Sequence, residues 1–130
     1  MYKFSKYFLK YRYMSNPFKT KYDFETRKKE SDKIKTKYPN RFPIIVNKAK
    51  KCNLDDIERS KFLVPGDLTI GQFMCILRKR IKLSDAESLF LFINDSTLPV
   101  SSSVISSVYD EYKEDDGFLY ISYCSENVFG

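Results

Sequence analysis

The sequence predicts an α+β domain, in which a four-stranded mixed sheet with its own helices follows two additional N-terminal helices. A chain of 130 residues is long enough for one domain with a substantial core. Apolar residues make up 42% of the chain and aromatic residues 16%, which indicates a packed protein rather than a disordered one. Helical and strand-like patterns follow one another in the order helix, helix, strand, strand, helix, strand, short helix, strand.

Two helices are predicted before the first strand. Pro17 suits the first turn of a short helix over residues 17–22, where its missing N–H breaks no helical hydrogen bond. Asp23 can cap a longer helix that ends at Tyr38, because a residue that precedes proline disfavours α geometry. The positions near helical spacing in this longer helix are Phe24, Lys28, Ser31, Ile34 and Tyr38. Its other faces are charged, so we expect a surface helix.

The first strand is predicted over residues 41–48, RFPIIVNK, which are rich in β-branched side chains. Side chains alternate between the two faces of a strand with a period of two. Ile44 and Val46 therefore lie on one face, and Pro43 and Ile45 lie on the other.

A second short strand, Lys61–Val64, is predicted after a polar loop and ends before Pro65. Leu63 lies on one of its faces, whereas Phe62 and Val64 lie on the other. Both faces of this strand are therefore apolar.

A capping box opens the next helix. The Thr69 hydroxyl can accept from the amide of Gln72, and the Gln72 side chain can reach back to the amide of Thr69. The apolar residues at helical spacing, which we expect to be buried, are Ile70, Phe73, Leu77 and Ile81.

Three more elements complete the order. The continuous apolar run Leu89–Asn94 predicts a central strand that is covered on both faces. Residues 101–103, three serines, can cap a helix that reaches Tyr112, and residues 118–123 form the last strand. A hairpin, a crossing helix and two further strands make a β-grasp sheet, the plan of ubiquitin.

The residue types exclude several kinds of catalytic site. The chain contains no histidine, which removes Cys-His and Ser-His-Asp nucleophile pairs. Its three cysteines, Cys52, Cys75 and Cys124, lack the spacing of zinc ligands and fit reduced thiols in the cytosol. We therefore expect neither an enzyme nor a metal site.

Charge is distributed unevenly along the chain. Residues 1–63 contain 18 Lys and Arg against 7 Asp and Glu, a net charge of +11, whereas residues 64–130 contain 5 against 10, a net charge of −5. A basic half suits nucleic acid, an anionic membrane surface or an acidic peptide, and it is equally typical of a solvated helix. No recognisable nucleic-acid motif is present, so we expect no specific nucleic-acid partner.

The first fourteen residues differ from the rest. They carry four cations and no acid among several aromatic residues, and Met14 offers an alternative start. We expect residues 1–14 to be an extension outside the fold. Residues 15–130 would then form the domain, with the N-terminal helices at 15–38 and the β-grasp at 39–130.

Several stretches, in this order and at these separations, closely resemble the autophagy ubiquitin-like modifiers, the relatives of microtubule-associated protein light chain 3 and of GABA-receptor-associated protein. The stretches are KYPNRFPIIV (37–46), KFLVPGDLTIGQF (61–73), LRKRIKL (77–83), YKEDDGFLYISY (112–123) and ENVFG (126–130). The resemblance runs from about Pro17 to Gly130 and implies the ubiquitin-like fold.

The resemblance also implies a chemical role for Gly130. In this family the terminal glycine is adenylated, passed as a thioester through activating and conjugating enzymes, and joined by an amide bond to phosphatidylethanolamine. Glycine suits this role because, without a Cβ, it can enter a narrow active-site channel. A delipidating cysteine protease would be a further partner. The lipid would be a covalent modification rather than a cofactor, and the protein would move from the cytoplasm to autophagosome membranes.

A second site implied by the resemblance is the Lys61–Val64 strand, to which aromatic-x-x-aliphatic motifs of cargo receptors and adaptors would add as an extra strand. The pocket for the aromatic residue would comprise Glu30, Ile34, Pro43, Ile45, Lys61, Leu63 and Phe118. The pocket for the aliphatic residue would comprise Phe62, Val64, Pro65, Leu68, Phe73 and Leu77. Contacts to an acidic flank would come from Arg41, Arg59, Lys61 and Arg80.

Two alternatives stay open. The apolar pocket residues, above all Phe73 and Leu77, could be ordinary core residues, since large apolar side chains are usually buried. The protein could also be an unconjugated β-grasp module that docks peptides or microtubules. A conjugated modifier would need Gly130 for membrane retention, whereas an unconjugated module would not.

Overall fold

The structure is a computed structural model that describes residues 16–127. The predicted extension at residues 1–14 and the predicted conjugation residue Gly130 lie outside the described residues. The elements are, in chain order, α1 (Pro17–Lys21), α2 (Phe24–Lys37), β1 (Arg41–Lys48), β2 (Lys61–Pro65), α3 (Ile70–Ile81), β3 (Phe90–Ile93), α4 (Ile105–Tyr112) and β4 (Leu119–Cys124). Over the described residues, this order is the predicted one.

The strands form one mixed sheet in the order β2-β1-β4-β3. The inner strands β1 and β4 run parallel, with Ile44 opposite Leu119, and each also pairs antiparallel with an outer strand. This is the predicted β-grasp sheet. Its arrangement leaves β2 and β3 as the two edges.

The prediction of a central strand at Leu89–Asn94 is wrong in one respect, because β3 lies at an edge. Both faces of β3 are nevertheless covered. Leu91 and Ile93 belong to the main core, whereas Phe92 packs in a separate cluster on the other face. A continuous apolar run indicates that both faces of a strand are covered. It does not indicate whether the strand lies in the middle or at the edge of the sheet.

The two faces of the sheet carry different cores. Ile44 and Val46 join the main core, where the buried residues of α3 and α4 also pack. Ile45 belongs to a second cluster with Phe18 of α1, Phe118 and Tyr120. The predicted alternation in β1 is therefore confirmed, and the N-terminal helices cover the second face.

Most predicted helix starts are confirmed by their hydrogen bonds. Asn16 Oδ1 accepts from the amide of Phe18 at 3.0 Å, at the start of α1. The Asp23 carboxylate accepts from the amide of Thr26 at 2.9 Å, and hydrogen bonds from the side chain and then the amide of Thr26 lower its pKa. Thr69 and Gln72 make both bonds of the capping box, at 3.1 and 2.9 Å.

The predicted serine cap of α4 is wrong. The N-cap of this helix is Val104, and no side chain caps it. The serines instead contribute backbone groups, since the carbonyl of Ser103 accepts from the amide of Ile70 at 2.9 Å and that of Ser101 accepts from the amide of Gly71 at 2.9 Å. The segment before α4 is therefore held against the start of α3.

The buried face of α2 differs in part from the predicted one. Ser31 is buried, as its place in the predicted stripe indicated, but Phe24 is 46% exposed and Arg27, outside that stripe, is buried. The helix turns these two polar residues inward because they bind Asp116, which lies in the turn that precedes β4. No helix among residues 16–127 is both long enough and apolar enough to cross a membrane.

Candidate functional site

The outer edge of β2 is open. Within the described residues β2 pairs only with β1, and the amide of Val46 donates to the carbonyl of Ser60 at 2.7 Å. Backbone groups alternate between the two sides of an antiparallel strand. The N–H and C=O groups of Lys61 and Leu63 therefore point away from β1, where an added strand could bind them.

Two residues of β1 fit this open edge. Pro43 lies opposite Leu63, and its missing N–H costs no bond because pairing with β4 begins only at Ile44. The Arg41 guanidinium donates to the outward carbonyl of Leu63 at 3.3 Å. An exposed strand edge can bind another strand, either of a ligand or in aggregation, and here Arg41 occupies one carbonyl of that edge.

Residues predicted to form the aromatic pocket lie on the face of the β1–β2 hairpin that is turned toward α2. Pro43 pairs with Leu63 and Ile45 pairs with Lys61, so their side chains lie on one face. The Lys61 ammonium forms an ion pair with the Glu30 carboxylate of α2.

The depth of these residues divides the pocket into a floor and a rim. Ile45 is 1% exposed and Phe118 is 0% exposed, so they form a closed floor. Ile34 packs against this cluster and is half-buried, as is Leu63. A ligand on this surface would first meet the partly exposed side chains of Ile34, Leu63 and the Lys61–Glu30 pair.

The opposite face of β2 carries the predicted aliphatic pocket. The rings of Phe62 and Phe73 meet edge to face, with centroids 5.5 Å apart. Val64, Phe73 and Leu77 belong to the main core, and the latter two are 0% exposed. The residues of this predicted pocket that retain exposure are Phe62, Pro65 and Leu68. A ligand bound on this face of β2 would therefore contact those three side chains and not the buried ones.

The predicted basic residues lie at both ends of β2. Arg59 and Arg80 line a cavity of about 270 Å³ together with Ile57 and Glu58, and the Arg80 guanidinium lies 6.0 Å from the centre of the Phe62 ring. Arg41 lies opposite Pro65, at the other end of the strand. An extended peptide along β2 would therefore pass positive charge at each end.

Sequence reasoning missed the polar group that supports the pocket floor. Arg27 Nε donates to Asp116 Oδ2 at 2.8 Å, and both side chains are buried. The Asp116 carboxylate also accepts from the amide of Phe118 at 3.0 Å and from the hydroxyl of Tyr120. Burial and this bond to Asp116 raise the pKa of Tyr120. The group fixes the turn that carries Phe118.

Gly117 is required by the same turn. It has a φ of +84°, and a Cβ built there would come within 2.3 Å of Ser31 Oγ. Ser31 Oγ donates to the carbonyl of Asp116 at 2.5 Å, so it cannot easily move aside. A helical stripe of Arg27, Ser31 and Ile34 in the sequence was the only signal for this contact.

A family model described as "Autophagy protein Atg8 ubiquitin like" matches residues 26–130. Autophagy-related protein 8 of Kluyveromyces lactis is 50% identical over 117 residues, which cover 90% of this chain and 94% of that protein. The crystal structure of Trypanosoma brucei ATG8 has a TM-score of 0.80 at 40% identity and covers 84% of this chain and 93% of that one. Plasmodium falciparum Atg8, solved in complex with a P. falciparum Atg3 peptide, has a TM-score of 0.77 at 36% identity, with coverages of 84% and 95%.

Proposed function

The chain belongs to the Atg8 family of ubiquitin-like autophagy proteins, and from this premise we propose that Gly130 is the residue through which it is conjugated to phosphatidylethanolamine. It is a ubiquitin-like autophagy modifier. The observation that carries the proposal is the family match, which extends through residue 130 and therefore includes this glycine. The protein would act as the substrate of its conjugating enzymes and would itself catalyse no reaction.

The chemistry of conjugation explains a change of location. The activated glycine carboxyl would form an amide bond with the amine of the lipid headgroup, after passing through an activating and a conjugating enzyme. Each buried CH₂ contributes about 0.8 kcal/mol, so one acyl chain binds a membrane marginally and two hold it durably. The cytoplasmic protein would thus become fixed on autophagosome membranes until a cysteine protease removed the lipid.

We also propose that the open edge of β2 docks aromatic-x-x-aliphatic motifs of cargo receptors and adaptors. The outward backbone groups of Lys61 and Leu63 would provide general affinity, and the pockets on the two faces would provide specificity. Support comes from the geometry of the edge and from the P. falciparum relative, which is solved with a peptide of Atg3. A peptide of the conjugating enzyme would accordingly be one ligand of this edge.

The conjugation proposal is tested by the mass of the C-terminal peptide recovered from membranes of starved cells. We expect a phosphatidylethanolamine adduct on Gly130 in the wild-type chain and no adduct in a Gly130→Ala control. A bare carboxylate on membrane-bound wild-type protein would contradict conjugation. That result would favour an unconjugated module that docks peptides or microtubules.

The docking proposal is tested with Leu63→Asp, which places a charge on the half-buried rim of the aromatic pocket. We expect the variant to stay folded and to lose about 2 kcal/mol of affinity for an aromatic-x-x-aliphatic peptide, measured by calorimetry. Ile76→Asp, on the exposed side of α3, is the matched control and should bind normally. A collapsed near-ultraviolet spectrum for Leu63→Asp would mean that Leu63 is a core residue and that the pocket assignment is wrong.

A further inference from the structure

Two of the three cysteines are packed into one small buried cluster. Cys52 is 5% exposed and Cys124 is 1% exposed, and they share this cluster with Ala49 and Phe92. Cys75, by contrast, lies exposed on α3. All three are free thiols in this structure, and the proposed conjugation and docking use none of them.

The backbone explains why two distant cysteines meet. The amide of Ala49 donates to the carbonyl of Tyr123 at 2.9 Å, which extends the parallel pairing of β1 with β4 by one step. The amide of Cys52 then donates to the carbonyl of Ala49 at 3.0 Å and closes a turn. This turn folds Cys52 back over the end of β4, where Cys124 is the last residue.

The environment of the Cys52 thiol favours its protonated form. Burial raises the pKa of the Cys52 thiol, and the neighbouring Cys124 thiol raises it further. The amide of Leu54 also donates to Cys52 Sγ, at 3.5 Å. The thiolate is the reactive form of cysteine, so oxidants should react slowly with Cys52 while the cluster is closed.

We propose that Cys52 and Cys124 form an intramolecular disulfide when the protein is exposed to hydrogen peroxide. In the first step one thiol loses its proton and the thiolate attacks the peroxide, so that an S–O bond forms, the O–O bond breaks and hydroxide leaves, giving a sulfenic acid. The hydroxide takes up the proton that the thiol lost and becomes the first water molecule. In the second step the other thiol attacks that sulfur, an S–S bond forms, and the oxygen leaves as water. In total, two thiols and one peroxide give one disulfide and two water molecules.

The position of this bond gives it a structural consequence. It would join the loop after β1 to the final residue of β4, from which the segment leading to Gly130 departs. The two cysteines are 72 positions apart (52 to 124), so the bond would close a long loop in the unfolded chain. Long closed loops restrict the unfolded state most, and oxidation should therefore stabilise the fold.

The test uses the full purified chain. The protein is reduced, treated with hydrogen peroxide, labelled with an alkylating agent and digested without reduction. We expect a linked peptide pair that contains Cys52 and Cys124 and has lost two hydrogens, together with alkylated Cys75. The melting temperature of the oxidised chain should exceed that of the reduced chain, and dithiothreitol should reverse both changes.

A Cys75→Ser variant is the control, because it prevents disulfides between molecules without altering the buried cluster. The same linked pair should form in it. The proposal is overturned if Cys52 and Cys124 both carry the alkylating label after peroxide treatment, if they appear as separate sulfinic acids, or if either links only to Cys75. It is independent of lipid conjugation, since the mapping requires neither a membrane nor a conjugating enzyme.

Discussion

At the scale of single residues, the buried ion pair between Arg27 and Asp116 joins the N-terminal helices to the sheet. Their side chains are 4% and 2% exposed, and the Arg27 guanidinium also donates to the carbonyl of Tyr22 at 2.7 Å. A buried pair adds little stability over an apolar pair, but removal of one partner leaves an unpaired charge away from water. The cost of a substitution here therefore comes from the residue that remains.

We predict that Arg27→Met lowers the free energy of unfolding by about 3–5 kcal/mol, because Asp116 would be left buried without its cation. Urea denaturation measures this change. The matched control is Lys28→Met on the same helix, whose exposed pair with Asp32 should contribute less than about 1 kcal/mol. Equal losses in the two variants would show that the buried pair has no special role.

The pair between Arg27 and Asp116 could not be predicted from the sequence, although the faces of the strand residues could. Alternation correctly assigned Ile44 and Ile45 to opposite faces, because a period of two is a local property of the strand. The partner of Arg27 lies 89 positions further along the chain, and no local period contains it. The same period placed Pro43 and Ile45 on one face, whereas the buried polar group that supports Phe118 required the folded structure.

At the scale of elements, α3 and α4 begin in different ways. The first turn of α3 is closed by the reciprocal bonds of Thr69 and Gln72, whereas α4 begins at Val104 without a side-chain cap. An isolated bridge between Thr69 and Val104 holds the two helix starts together. Tertiary contact thus replaces at α4 the local cap that α3 has.

Thr69→Ala should destabilise the protein by about 1 kcal/mol, because the amide of Gln72 at the start of α3 would lose the Thr69 hydroxyl as its acceptor. Ser103→Ala, at the residue before the α4 cap, should change stability by less than about 0.5 kcal/mol. Thermal unfolding of both variants provides the comparison. A larger effect for Ser103→Ala than for Thr69→Ala would contradict this prediction and would support the serine cap of α4 that the sequence suggested.

The elements themselves could largely be predicted from the sequence. The four buried residues of α3 are those that the helical spacing selected, and the bounds of β1 are those predicted. The neighbour relations of β3 could not be predicted, because the hydrophobic pattern of a strand does not depend on which strands flank it. The buried face of α2 could likewise not be predicted from hydrophobic spacing, since the buried residues of this helix are polar.

At the scale of the whole molecule, the protein should lose stability at alkaline pH. Burial, followed by nearby acidic groups, raises the pKa of Tyr123 to about 12, and its hydroxyl donates to the carbonyl of Asp55 at 2.6 Å. Burial also raises the pKa values of Tyr109 and Tyr120. In the unfolded chain these tyrosines ionise near pH 10, so the folded state binds more protons above that pH.

The stability that these groups provide is therefore fully present below about pH 10 and is lost as the pH rises toward about 12. Urea unfolding at a series of alkaline pH values, with tyrosinate absorbance recorded in parallel, measures the loss. Tyr123→Phe should reduce the slope of stability against pH, although it also removes the bond to Asp55. A flat profile across this range in the wild-type protein would contradict the prediction.

The parallel pairing of β1 with β4 has a consequence for how fast the chain folds. Ile44 and Leu119 are adjacent in the sheet but 75 positions apart in sequence (44 to 119), so the middle of the sheet consists of non-local contacts. Chain entropy must be lost before such contacts form, and a high contact order slows folding. The helices and the β1–β2 hairpin can form early from local contacts. The sheet cannot close until β4 has been synthesised, and until then the inner edge of β1 is unpaired and open to other chains.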